Sequence, residues 1–188
     1  MKALLGATYA FALAGAAFLL CELASRWAGG LSWRRINRSG ERPYLQRLGR
    51  EQSAEQAWRD RLRGTWRVRL HRFVGPDDAG YHNHPFAWAL SLNVSALWGA
   101  GYVEEVLQPH LLPKPLGFCR RRVRLFNWIP LSKYHRIVEL KPGLFGWGCW
   151  TIFITGPRVA SWGYWDSVRG HVPWRQYNRE KGLNVHED

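Results

Sequence analysis

A chain of 188 residues that is 46% hydrophobic and carries 12 tryptophans can bury the core of one ordinary domain with an appendage, which excludes a largely disordered protein. Its net charge of +13, from 27 basic against 14 acidic side chains, leaves anionic lipid, nucleic acid or an acidic small molecule as candidate partners, beside the plainer reading of a solvated arginine-rich surface. Cys21, Cys119 and Cys149 share no close spacing, which argues against a disulfide framework or a zinc knuckle and suits a reducing compartment.

Residues 3–21 (ALLGATYAFALAGAAFLLC) carry no charge, and at about 1.5 Å per residue they nearly span a ~30 Å hydrocarbon core. A transmembrane anchor is therefore expected over residues 1–25. A cleaved signal peptide is the rival, but the small-residue pairs lie inside the apolar run rather than after it. Arg26, Arg34, Arg35 and Arg38 crowd the C-terminal flank, so the bulk of the chain is expected on the cytoplasmic side of the inner (cytoplasmic) membrane. Residues 26–64 then read as an arginine-rich juxtamembrane connector within reach of anionic lipid headgroups, broken at Gly40 and Pro43 and carrying one or two helices. Ser53 and Gln56 have the spacing of a capping box for one of them.

After Gly64 the hydrophobic period changes to two: Trp66, Val68 and Leu70 alternate with Arg67, Arg69 and His71, which is strand patterning. A turn over 75–80 (GPDDAG) follows, then strand candidates at 86–97, 102–107, 121–128, 134–140, 149–155 and 158–165, separated by Gly- and Pro-rich loops. Short strands at near-regular spacing predict an all-β sandwich or barrel over 65–166, with 167–188 as a C-terminal tail.

The residues that could carry chemistry begin with GYHNHPFAW. On a strand, residues two apart share a face, so His82 and His84 can aim both imidazoles at one point. Such a pair is common on ordinary surfaces, and it gains weight from PLSKYHRI, where Pro130, Ser132 and His135 stand in the order Pro-x-small-x-x-His about fifty residues later. His71, His110, His171 and His186 have no companion at ligand spacing and are read as ordinary polar residues. Trp147, Trp150, Trp162, Trp165 and Trp174 are read as core or as an apolar end cap.

The two segments resemble the first and second motifs of the cupin superfamily, with His82, His84 and His135 on its three histidines and Ser132 where its second motif has glycine. More narrowly, residues 70–165 resemble a group of small cupin-like proteins of bacterial and phage genomes. The resemblance implies a double-stranded β-helix (the cupin jelly roll) holding a divalent metal, Fe(II) favoured, with Zn, Mn or Ni as alternatives. The glutamate of the first motif is missing, because Ala87, Trp88 and Ala89 occupy its region. Either the site is a three-histidine one, as in the thiol dioxygenases of the superfamily, or a carboxylate arrives from elsewhere. Glu104 is preferred for that role. Glu105 is read as the partner of the arginines at 120–124, and Glu139 as the other candidate.

Arginines on strands cannot all be hidden without partners. Arg72, Arg122 and Arg124, with Tyr102, are the candidates for holding a small anionic substrate. The leading expectation is thus a membrane-anchored cupin-type metalloprotein with oxygenase or isomerase chemistry. The alternatives are a cupin-like domain that binds a ligand or partner and catalyses nothing, or a basic protein that binds anionic lipid or nucleic acid. The last is disfavoured for nucleic acid because no recognised motif accompanies the charge, and the sequence carries no signal of oligomeric state.

Overall fold

The computed structural model describes residues 8, 10–20, 32–36, 45–49, 66–77, 80–108, 117–146 and 148–182. The helix expected after Ser53, the loop at 109–116 and Trp147 lie outside the described residues. The strands are β1 (Ser32–Ile36), β2 (Leu45–Gly49), β3 (Arg67–Phe73), β4 (Trp88–Asn93), β5 (Gly101–Gln108), β6 (Gly117–Val123), β7 (Phe126–Pro130), β8 (His135–Lys141), β9 (Cys149–Thr155), β10 (Gly163–Asp166) and β11 (Gly170–Pro173). Helix α1 covers 10–20 and helix α2 is Trp174–Glu180.

One sheet has the antiparallel order β1-β2-β3-β9-β4-β7. The second consists of β6-β5-β8 and the β10-β11 hairpin, joined through the segment around His82, which bridges to His135 of β8 and to Tyr164 of β10. Leu45, Phe73 and Cys149 from the first sheet pack against Tyr102, Val123 and Ile137 from the second. The core thus lies between two facing sheets, the arrangement expected of a jelly roll. No helix among the described residues is long and apolar enough to cross a membrane. Of the expected anchor, residues 10–20 form a helix whose Ala14, Ala17 and Phe18 pack with Trp98, Ala100, Trp150 and Leu70.

Three local expectations are corrected. The connector contributes strands rather than only helices: β2 pairs with β3, which would otherwise be an open sheet edge, and its Leu45 is buried opposite Phe73. The single strand expected over 121–128 is two strands in different sheets. Val123 closes β6 against Tyr102, and Phe126 opens β7 against Leu92. The corner between them is held by Asn93, which donates from its backbone N to Leu125 O (2.7 Å) and from Nδ2 to Arg124 O (2.6 Å). Without Gly or Pro at 124–125, the sequence has no turn signal there. Finally, the segment expected as a tail continues the sheet as β11 and then forms α2, whose Trp174 stacks on Trp162.

A 3-10 turn, Val94–Trp98, follows β4 and brings Trp98 against the chain at Gly143. A Cβ on Gly143 would lie 2.2 Å from the Trp98 carbonyl oxygen and 2.9 Å from Ala100 N, both backbone atoms. Gly143→Ala is therefore expected to cost about 2 kcal/mol or more in a denaturant titration. An unchanged midpoint would mean that the two segments separate easily.

Candidate metal centre

The three motif histidines meet. His82 reaches the site from the bridging segment and His135 from the first position of β8, and backbone hydrogen bonds in both directions clamp the two together (His82 N to His135 O 3.0 Å, His135 N to His82 O 2.9 Å). His84 follows two residues later, so the same-face spacing expected for an extended segment holds. Ring centroids are 5.4 Å apart for His82 and His84, 5.0 Å for His82 and His135, and 5.2 Å for His84 and His135. One ring nitrogen from each lies within 4.8 Å of the others, so the three could hold a metal ion.

Two of the imidazoles are oriented from behind by buried carboxylates. Asp77 Oδ2 lies 3.0 Å from His82 Nδ1, and Glu104 Oε2 lies 2.9 Å from His135 Nδ1. An Nδ1–H donated to a carboxylate leaves Nε2 with its lone pair free for an ion and fixes the orientation of the ring. The Nε2 atoms of His84 and His135 are 3.0 Å apart. For bonds of about 2.1 Å, that separation corresponds to an angle near 90° at the ion, as between neighbouring octahedral positions; tetrahedral ligands would sit about 3.4 Å apart. The donor set and its spacing fit a divalent transition metal.

Glu104 is corrected from ligand to support. Its side chain is buried, but it stands behind His135. Oε2 takes Asn127 Nδ2 (2.8 Å) as well as His135, and Oε1 takes Lys133 Nζ (2.7 Å) and Arg121 Nε (2.5 Å). Burial alone would raise its carboxyl pKa, yet the hydrogen bonds and charges of His135 and Lys133 outweigh this and hold the group ionised, well below the usual carboxylate range. Glu105 faces the other way and pairs with Arg120 and Arg136, while Tyr81 donates to it. Glu139 is turned out to solvent beside Lys141. A bulge causes this: Val103 pairs with Glu139 but Glu104 with Ile137, so Val138 is an extra residue that flips the parity of β8 beyond it.

The cavity beside the histidines measures about 50 Å³ and is lined by both sheets, with Phe73, Ile129, Phe153 and Ile137 among its apolar walls. Tyr102 lines it, its hydroxyl accepting from Asn127 Nδ2 (3.2 Å). Arg72, Arg122 and Arg124 do not. Arg72 alternates with the inward His71 and Phe73 on β3, and its guanidinium lies over Trp150 at 5.2 Å. Arg122 is exposed on the face of β6 opposite Arg121 and the buried Val123, and Arg124, just beyond the strand, is exposed as well.

Sequence reasoning passed over Asp77, which shares the composition of the turn around it, and Lys133 and Asn127, whose roles depend on cross-strand neighbours. It also passed over His71. This ring lines the cavity, stacks on Phe153 at 4.7 Å, and leaves Nε2 without a hydrogen-bond partner among the described residues.

No family model and no curated protein matches the chain. Cupin-fold proteins are among the solved structures it is similar to. A vicilin from Corylus avellana (hazelnut) is 15% identical with TM-score 0.41, over 69% of this chain and 34% of that one. An oxalate oxidase in complex with glycolate is 10% identical with TM-score 0.35, over 63% and 57%. A structure of DMSP lyases is 15% identical with TM-score 0.39, over 71% and 62%. The chain spans about a third of the hazelnut vicilin and under two thirds of the other two.

Proposed function

We propose that the chain is a metalloenzyme that holds one divalent metal, Fe(II) by preference, on His82, His84 and His135, and carries out oxygenase or isomerase chemistry on a small, mostly apolar molecule. The observation that carries this reading is the convergence of three ring nitrogens, two of them on imidazoles fixed by the buried carboxylates of Asp77 and Glu104. When bound, an ion of this kind activates O2 or polarises a carbonyl. The chain's own contribution is orientation and exclusion of water. Asp77 and Glu104 keep two imidazoles aimed inward, and Phe73, Ile129 and Phe153 keep the cavity apolar.

An anionic substrate of the kind expected from the strand arginines finds no arginine among the described residues of the cavity lining, and would meet the ion there instead. A cavity of 50 Å³ is about a third of the ~150 Å³ that encloses benzene, which leaves room for an ion and one or two water-sized ligands. A carbon skeleton must enter from the open end or displace a side chain. His71 is one of the polar groups in the wall, with Ser91 and Tyr102, that such a molecule would meet. Burial, followed by the charges of Arg47 and Arg69, lowers its pKa well below 6.5 and keeps the ring neutral, able to accept or donate one hydrogen bond.

Water-proton relaxation of the Mn(II)-loaded full chain tests the catalytic reading. A three-histidine site that does chemistry keeps positions open to exchanging water and should raise the relaxation rate well above that of a closed complex. A loaded protein with no exchanging water would make the metal structural.

His71→Phe provides a second check. It preserves the stack on Phe153 and removes a buried, unpaired nitrogen, so stability at pH 7 should equal or exceed that of the parent by about 1 kcal/mol while the metal stoichiometry is unchanged. The folded pKa of His71 is depressed, so the unfolded chain binds the extra proton first, and His71 makes stability fall as pH drops below about 6.5. The Phe variant should lose that part of the slope. Destabilisation at pH 7 would show instead that His71 serves the packing.

A further inference from the structure

Several of the apolar groups that the fold leaves exposed gather around one structural junction, while others, such as Trp66, Val159 and Val168, lie apart from it. Trp98, at the end of the 3-10 turn, meets Phe18 of α1 edge-on at 5.7 Å, and the chain at Gly143 packs against it. Asn93, just before the same turn, holds the β6–β7 corner through Arg124 O and Leu125 O. Around this junction Leu97, Leu125, Phe126 and Leu144 are each between 49% and 67% exposed. The helix adds to them. Its packing stripe is Ala14, Ala17 and Phe18, yet Leu13, Leu19 and Leu20 on its other sides are 50% to 66% exposed. A helix that is apolar all round has no reason to face water on any side.

Two arginines accompany this rim. Arg122 Nη2 reaches only the Gly99 carbonyl, at 3.5 Å, and Arg124 has no acidic partner among the described residues, whereas Arg120 and Arg121 on the same strand are taken by Glu105 and Glu104. Exposed leucine and phenylalanine flanked by unneutralised arginines match the boundary of an anionic bilayer. Acyl chains cover the apolar groups there, and phosphates meet the guanidiniums. The net charge of +13 favours approach to such a surface.

We propose that this end of the barrel is a membrane-docking rim. Leu125 and Phe126 enter the interface, Leu97 and Leu144 lie at its boundary, and Arg122 and Arg124 contact lipid phosphates, continuous with the outer side of α1. The rim is independent of the metal centre and distinct from an N-terminal span, because it places the barrel itself against the lipid.

The test uses the full chain with Cys21 and Cys119 replaced by serine, Cys149 being buried and closed to label. An environment-sensitive dye is attached at Leu125→Cys or, as control, at Val168→Cys in the β10–β11 turn, where Val168 is 90% exposed. With phosphatidylcholine vesicles containing phosphatidylglycerol, emission should shift to the blue at position 125 and stay unchanged at 168. The double variant R122E/R124E should need at least about tenfold more phosphatidylglycerol-containing lipid for the same shift. A chain that attaches to vesicles while the dye at 125 reports water, or a shift equal at both positions, or no effect of charge reversal, would overturn the proposal. So would a full chain that fails to bind the vesicles at all.

Discussion

His135→Ala abolishes stoichiometric metal binding, with affinity falling by more than about 100-fold in equilibrium dialysis against Fe(II) or Zn(II). The size follows from the position of the ring. His135 is tied both to His84, through the 3.0 Å approach of the two Nε2 atoms, and to the buried network, through Glu104 on Nδ1. Loss of an outer-shell partner alone typically costs 10- to 100-fold, so loss of a ligand that also carries that partner costs more. His82→Ala and His84→Ala should follow in the same direction. Removal of His171, which hydrogen-bonds Tyr134 at 2.7 Å away from the cluster, should leave metal content intact. Retention of one tightly held metal by His135→Ala would place the site elsewhere.

The second large effect belongs to Glu104. Its side chain is fully buried and holds His135, Lys133, Asn127 and Arg121 at once, and Asn127 Oδ1 in turn accepts from Lys133 (2.7 Å) and from Arg121. Lys133 is itself buried. Desolvation pulls its pKa down, and the charge and hydrogen bond of Glu104 oppose that shift. Glu104→Leu would strand a buried ammonium and free the Nδ1 of His135. Breaking a buried pair from one side costs about 3–5 kcal/mol, and the released imidazole should lower metal affinity about 10- to 100-fold. Glu104→Gln keeps the shape and an acceptor for Nδ1, so it should recover most of the metal affinity but less of the stability. A Glu104→Leu/Lys133→Met double variant should recover part of the stability and none of the metal affinity, which separates the packing role from the orienting one. Equal losses in both quantities for all three variants would mean that Glu104 only keeps the fold intact.

The three clustered histidines were more legible in the sequence than their surroundings, for a physical reason. His82 and His84 are legible because strand parity is a local property, and His135 because its own short motif places it at a strand start. Parity allows only one of Glu104 and Glu105 to face inward and the resemblance favours Glu104, but whether an inward carboxylate binds an ion or a histidine depends on depth, which is set by Lys133, Asn127 and Arg121 from other strands. The Glu139 expectation failed on the extra residue Val138, a bulge with no mark in the composition of β8. The arginines at 120–124 divided by parity as alternation requires, and only burial of Val123 settles which set faces in. β1 and β2 were hidden in the connector because arginine-rich segments do not read as strands until β3 offers β2 an edge and β2 in turn offers one to β1.

X-ray absorption on the full chain, purified anaerobically and loaded with one equivalent of Fe(II), addresses the metal centre most directly. Three histidine nitrogens at about 2.0–2.2 Å, completed by light oxygen-type scatterers and lost in His135→Ala, are the expected result. Sulfur in the first shell, fewer than three imidazoles, or a spectrum unchanged in His135→Ala would contradict the assignment of His82, His84 and His135 as one metal centre.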